Sequence, residues 1–215
     1  MKAKQLVLNL LGGVVIIGLV AGCSSTGYEK AADTATSLTK SSEGIVKSSA
    51  LVDKALATLS DLVNNPKPDL RKQFGAFNDS VNALGSTAKD VDGKAKAMKS
   101  QGADYFKNWD KQMAAIKNED IRNRSEARKG EVASKFGRIS QSYDETKTAF
   151  APFMSDLRDV QKFLSTDLTA GGLSAIKGVA AKATQDAAPL KESLSKLSEE
   201  FKGLGLSMSP ATGGK

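Results

Sequence analysis

The chain has 215 residues, no histidine, one cysteine and a formal charge of +7, from 31 Lys and Arg against 24 Asp and Glu. Without histidine there is no Ser-His-Asp or Cys-His machinery and no imidazole metal ligand. A lone cysteine excludes an intramolecular disulfide, a thiolate zinc site and an Fe–S cluster.

Residues 1–22 read as an export leader. Lys2 and Lys4 supply a charged start, and Leu6 to Leu19 an apolar stretch interrupted by Asn9, Gly12 and Gly13. The stretch is too short, and too soon followed by polar residues, to cross a bilayer stably. Val20-Ala21-Gly22-Cys23 closes it. Small residues before a cysteine fit a peptidase pocket, and these four resemble the bacterial lipobox. That resemblance implies cleavage between Gly22 and Cys23, a diacylglycerol on the Cys23 thiol and an amide-linked acyl chain. The plainer alternative is an ordinary leader with an incidental cysteine. Two or three acyl chains anchor a protein stably, whereas one does not. Ser24 follows the cysteine in place of the aspartate associated with inner-membrane retention, and in a Gram-negative cell that resemblance implies an outer-membrane lipoprotein facing the periplasm. Loss of residues 1–22 leaves 193 residues, and with Lys2 and Lys4 gone the formal charge falls to +5. So mild a charge suits a body near anionic lipid or glycan, and nucleic acid is not expected as a partner.

Residues 23–28 form a short Ser-containing tether. From Ala31 the period is helical. Ala31, Ala35, Leu38, Ser42, Ile45, Ser49, Val52, Leu56, Leu59 and Val63 repeat at 4-3 spacing, which predicts a long amphipathic helix with a narrow seam. Pro66 and Pro68 stop it, and Asp69 is placed to cap the next helix. A second seam runs Leu70, Phe74, Phe77, Val81, Leu84, Ala88, Val91, Ala95, Met98, Gly102, Tyr105 and Trp109. A helix over 69–117 would span roughly 70 Å. Gly85, Gly93 and Gly102 weaken it and mark bends or close approaches. Lys117 to Asp120 is the next turn, with Asn118 as the cap.

The third seam is Val132, Phe136, Ile139, Tyr143, Thr146, Phe150, Phe153, Leu157, Val160 and Leu164. It contains Pro152, which is expected to kink the helix near Thr148. Thr166 to Thr169 with Gly171 and Gly172 break the pattern. The last seam is Ile176, Ala180, Ala183, Ala187, Leu190, Leu194, Leu197, Phe201 and Leu204, with Pro189 expected to kink it or start a new segment. Residues 207–215 read as a disordered Ser/Gly/Pro tail. No stretch alternates with a period of two, so no sheet is predicted. Four amphipathic segments joined by short breaks predict an all-α, elongated antiparallel bundle over 29–206. Intramolecular packing is favoured over a coiled-coil oligomer, because each seam is followed by a break and a complementary seam.

Three stretches carry a resemblance: Trp109 through Arg128, Tyr143 through Pro152, and Phe153 through Leu168. The last reads Phe-Met-Ser-Asp-Leu-Arg-Asp-Val-Gln-Lys-Phe-Leu-Ser-Thr-Asp-Leu. Together they resemble a bacterial envelope family, domain of unknown function 2959. The resemblance covers nearly the whole chain after the leader. It implies a lipobox, long helices of coiled-coil character and an internal proline, and no activity, cofactor or catalytic residue. This chain departs from it in being Ala/Ser/Gly-rich and basic.

Lys117 to Arg138 holds Lys117, Arg122, Arg124, Arg128, Lys129, Lys135 and Arg138 against Glu119, Asp120, Glu126 and Glu131. Arg124, Arg128, Lys135 and Arg138 share one helix face. They are the candidates for holding lipopolysaccharide, lipid phosphate or an anionic cell-wall polymer. A solvated, ion-paired face is the simpler reading. Tyr105, Phe106 and Trp109 cluster beside them. Core packing is expected of Tyr105 and Trp109, with a ligand-stacking site or a membrane-interface contact as the alternative. The carboxylates of Asp90/Asp92 and of Glu199/Glu200 point to different faces, so no catalysis or metal is expected of them. Gly171-Gly172 lacks the Lys and Ser/Thr of a phosphate loop. Lys215 ends a flexible tail, as does the lysine by which murein lipoprotein is linked to peptidoglycan. A charged tail end is the simpler reading.

The sequence therefore predicts a non-enzymatic, lipid-anchored envelope protein, a spacer or partner-binding scaffold, with Cys23 as its one chemically active residue. The alternative is a module binding anionic lipid or glycan around residues 105–138. Membrane contact comes through the anchor. The expected partners are an envelope protein, peptidoglycan or lipopolysaccharide, with no small-molecule substrate. No cofactor is expected beyond the covalent lipid on Cys23.

Overall fold

A computed structural model describes residues 27–209 as four long helices: α1 (Gly27–Asn64), α2 (Arg71–Ala114), α3 (Glu119–Leu164) and α4 (Ala170–Met208). Among these residues there is no strand. The expectations for the leader, Gly22, Cys23, the start of the tether and Lys215 lie outside the described residues.

Each break has a local cause. Pro66 and Pro68 lie between α1 and α2, where they can donate no backbone hydrogen bond. The buried Gln73 ties that turn together. Its Oε1 accepts from Lys67 N–H (3.0 Å), and its amide nitrogen donates to Asp61 Oδ2 (2.7 Å) and the Asn65 carbonyl (3.0 Å). The cap position of α2 is Leu70 and not Asp69, and Leu70 makes no side-chain cap bond. Asp69 acts one residue further out and accepts from Arg71 N–H (3.1 Å). Hydrogen bonds from Arg71 hold the Asp69 carboxyl at a pKa of about 2. Asn118 caps α3 as expected, accepting from Ile121 N–H (3.1 Å). Thr169 caps α4 by accepting from Gly172 N–H (3.1 Å). Gly171 and Gly172 belong to the first turn of α4 instead of breaking the chain before it. A Cβ on Gly172 would collide with the Asp167 carbonyl, so only glycine fits there.

The helices run alternately up and down. Each packs on its neighbours in sequence, and α4 returns to α1. Hydrogen bonds fix the antiparallel register: Thr58 to Ser80 (2.8 Å), Tyr143 to Asp92 (2.9 Å), Lys182 to Asp156 (2.7 Å) and Lys191 to Asp53 (2.7 Å). The start of α1, the α2–α3 turn and the end of α4 therefore share one end of the bundle.

The seams form one continuous apolar core. Phe77, Phe153, Phe201, Leu38 and Leu157 are among its fully buried members. On α3 every residue of the expected seam is buried except the half-buried Phe150. On α1 the buried face is wider than the 4-3 pattern alone. A second row, Thr34, Ser41, Ser48, Ala55 and Leu62, is also buried at seven-residue spacing. A helix gripped by two neighbours needs this broader stripe. Ser41 and Ser48 tolerate burial because each donates to the carbonyl four residues back.

Pro152 and Pro189 lie inside α3 and α4, which run on through them. Both rings are on the solvent side. α4 continues to Met208, beyond the 206 boundary expected for the bundle, because the buried Met208 extends the Phe201 and Leu204 stripe.

Candidate functional site: the seam between the second and third helices

The sequence-predicted basic face is held largely by the bundle itself. Arg124 is exposed. Arg128 donates to Glu131 Oε2 (3.0 Å) and to the Ser207 carbonyl of α4 (3.0 Å). Arg138 donates to Ser134 Oγ (3.2 Å). Lys135 and Arg138 line a hollow of about 230 Å³ with Glu200 from α4, whose Oε2 is buried without a hydrogen-bond partner. Arg128, Lys135 and Arg138 thus border α4, and Arg124 stands apart from them.

The aromatic cluster packs on itself. Tyr105 meets Phe106 and Trp109 edge-on, with ring centroids 5.5 and 5.4 Å apart. Phe106 meets the buried Phe136 edge-on at 5.5 Å and so widens the core there. Trp109 Nε1 donates to Ser125 Oγ (2.6 Å). Beside them Gly102 lets α2 and α3 close up, because a Cβ there would lie 2.7 Å from Phe136 Cε1.

Further along the same seam the helices part. A slot of about 280 Å³ opens between α2 and α3 and reaches down to α1 and α4. Gly85, Ala88 and Val91 form the α2 wall, and Phe150 and Met154 the α3 wall. Ile45, Leu194 and Leu197 form an apolar floor. Small side chains at Gly85 and Ala88 leave the space that larger seam residues fill elsewhere.

A polar clasp crosses one lip of the slot. Asp92 accepts from Tyr143 Oη (2.9 Å), Lys147 Nζ (2.6 Å) and Lys96 Nζ (2.7 Å). The Lys147 hydrogen bond, followed by those of Lys96 and Tyr143, holds the Asp92 carboxyl far below the usual carboxylate range. Burial and the neighbouring Asp92 push the Tyr143 phenol well above its ordinary value. Lys99 bridges to Asp144 (3.1 Å) and sits 5.9 Å over the Tyr143 ring. At the other lip stands Arg158, exposed and without an ion-pair partner among the described residues. Sequence reasoning passed over this clasp, because its members are 51 and 55 residues apart. The available signal was Gly85 and Ala88, two small residues within one turn on or beside the seam.

Of the carboxylate pairs, only Asp92 is drawn into a network, and Asp90 is exposed. Glu199 lines the α1–α4 groove, whereas Glu200 faces α3. Among the described residues no group of three His, Cys, Asp or Glu is placed to hold a metal. No helix among them is long and apolar enough to cross a membrane.

The chain is thus an all-α protein, a four-helix antiparallel bundle with one apolar slot in its α2–α3 seam. The family model described as "Protein of unknown function (DUF2959)" matches residues 21–202, and the chain belongs to that family. No curated protein and no solved structure matches it.

Proposed function

We propose that the protein is a non-enzymatic, lipid-anchored component of a bacterial cell envelope, placed at the outer membrane facing the periplasm and acting as a spacer or partner-binding scaffold. The observation that carries this reading is Val20-Ala21-Gly22-Cys23, four residues ahead of Gly27, where α1 starts. A lipid on Cys23 would leave only a short tether, at most about 14 Å when fully extended, between bilayer and bundle. The bundle would then project away, since the 44 residues of α2 span about 66 Å. The family match begins at Ala21, which leaves most of the expected leader outside the shared region. The alternative, an anionic-ligand site on Arg124, Arg128, Lys135 and Arg138, has less support, because Arg128 and Arg138 already bond within the chain.

Cys23→Ser tests the anchor. Cells making the native chain should incorporate labelled palmitate into it and retain it in the membrane fraction. The variant should take up no label. Label in the variant, or none in the native chain, overturns the reading.

A further inference from the structure

Nearly all the polar groups lining the slot between α2 and α3 are already paired within the chain. Three hydroxyls line it: the Tyr143 phenol is bonded to Asp92, and the other two are committed to their own helices. Ser48 Oγ donates to the Gly44 carbonyl (2.9 Å), and Thr146 Oγ1 to the Ser142 carbonyl (2.7 Å). The Asp92 carboxylate is taken up by three donors. What remains is apolar floor and wall, a poor home for ordered water, which needs two to four polar partners. One polar group at the mouth has no partner among the described residues, the Arg158 guanidinium.

Gly85 makes room for that cation. A Cβ at Gly85 would lie 3.2 Å from Arg158 Nη2 and 3.6 Å from Met154 Cε. The bare backbone lets the guanidinium lie across the mouth directly above the apolar wall. The space also limits the guest. About 280 Å³ falls just below the usual range of small-molecule sites, roughly 300–1,000 Å³. That volume is too small to admit a helix, about 10 Å in diameter. A thin apolar body with one anionic end matches both the lining and the unpaired cation.

We propose that this slot binds a single-chain amphiphile with an anionic head, its chain against Ile45, Leu194, Leu197 and Met154 and its head on Arg158. The inference does not depend on the lipid-anchor reading, and its test reads the slot alone. The full chain carrying Cys23→Ser, with ¹³C-labelled methionine methyls, is titrated with dodecanoate below its micelle concentration. The Met154 methyl should shift saturably, while those of Met98, Met113 and Met208 stay in place. Ala88→Phe plugs the slot and should abolish the shift. Ala88→Leu, a smaller plug, does the same if the phenylalanine variant loses its helical circular dichroism. Arg158→Gln should weaken dodecanoate about tenfold, one charge-assisted contact, and leave dodecyl maltoside unchanged. A still Met154 methyl, an undiminished shift in a folded plugged variant, or equal weakening of both amphiphiles by Arg158→Gln overturns the proposal.

Discussion

The two sides of the bundle are built differently. Where α1 meets α4, small residues bring the backbones together. A Cβ on Gly205 would lie 3.2 Å from the Ala35 carbonyl oxygen and 3.5 Å from Leu38 Cβ. Ser42 Oγ donates to the Ser198 carbonyl (3.0 Å) inside the same interface, and the two hydroxyls are 2.9 Å apart. Where α2 meets α3, the small residues Gly85 and Ala88 are faced by a gap, and the helices are joined by an ionic clasp at its lip. Small side chains therefore have two opposite consequences. Gly205 against backbone and Gly102 against the Phe136 ring permit close packing, whereas Gly85, opposed by the ends of Arg158 and Met154, borders a void. Only the partner helix decides which.

The largest expected difference comes from truncating one side chain on each side. Leu38, fully buried at the α1–α4 contact, should lose about 2–5 kcal/mol on change to Ala, because a rigid site cannot collapse around the cavity. Val91→Ala, at the half-exposed wall of the slot, should lose less than about 1 kcal/mol, since solvent already reaches it. Urea unfolding of both variants checks the contrast, and equal losses would break it.

A smaller difference should follow from adding a methyl group. Gly205→Ala pushes against a backbone carbonyl and should destabilise by about 1–2 kcal/mol, outweighing its better helix propensity. Gly85→Ala meets only the movable tip of Arg158 and the end of Met154. It should stabilise by roughly 0.5 kcal/mol through helix propensity. Thermal unfolding of the pair should show melting temperatures moving in opposite directions.

The smallest effect belongs to the clasp. The Asp92 carboxyl is held below its ordinary pKa of 3.8 by its hydrogen bonds. A group with a depressed folded pKa stabilises above its unfolded value and loses that contribution as pH falls toward the folded one. Asp92→Asn should therefore melt slightly below the native chain at neutral pH. The two curves should converge as the pH is lowered from about 5 toward 2. A constant gap across that range would remove the clasp as its source.

Much of this was legible in the one-dimensional pattern. The four helices, the Asn118 cap, the break at Pro66 and Pro68 and nearly all of the α3 core follow from heptad spacing and cap chemistry, which act over a few residues. Wider burial on α1 was not legible, because Thr34, Ser41 and Ser48 become interior only through a second neighbour. Nor was the fate of Asp69, where a one-residue shift depends on how the Pro-containing turn closes around Gln73. For the candidate site the pattern offered Arg124, Arg128, Lys135 and Arg138, a face that the fold turns partly against α4. Beyond the small residues Gly85 and Ala88 the slot and its clasp left little trace in the pattern, because the slot gathers residues of all four helices and the clasp joins α2 to α3 across about fifty positions.

By itself the sequence determined the all-α class, the number of helices, their seams and, through the residues around Cys23, the expected anchor. These depend on periodicity and on neighbours within one turn. The tertiary structure alone decided which small residues are packed tightly and which line a void, which cations find partners, and that Arg158 stands unpaired above an apolar slot. Those outcomes depend on the register between helices, which aligns residues tens of positions apart.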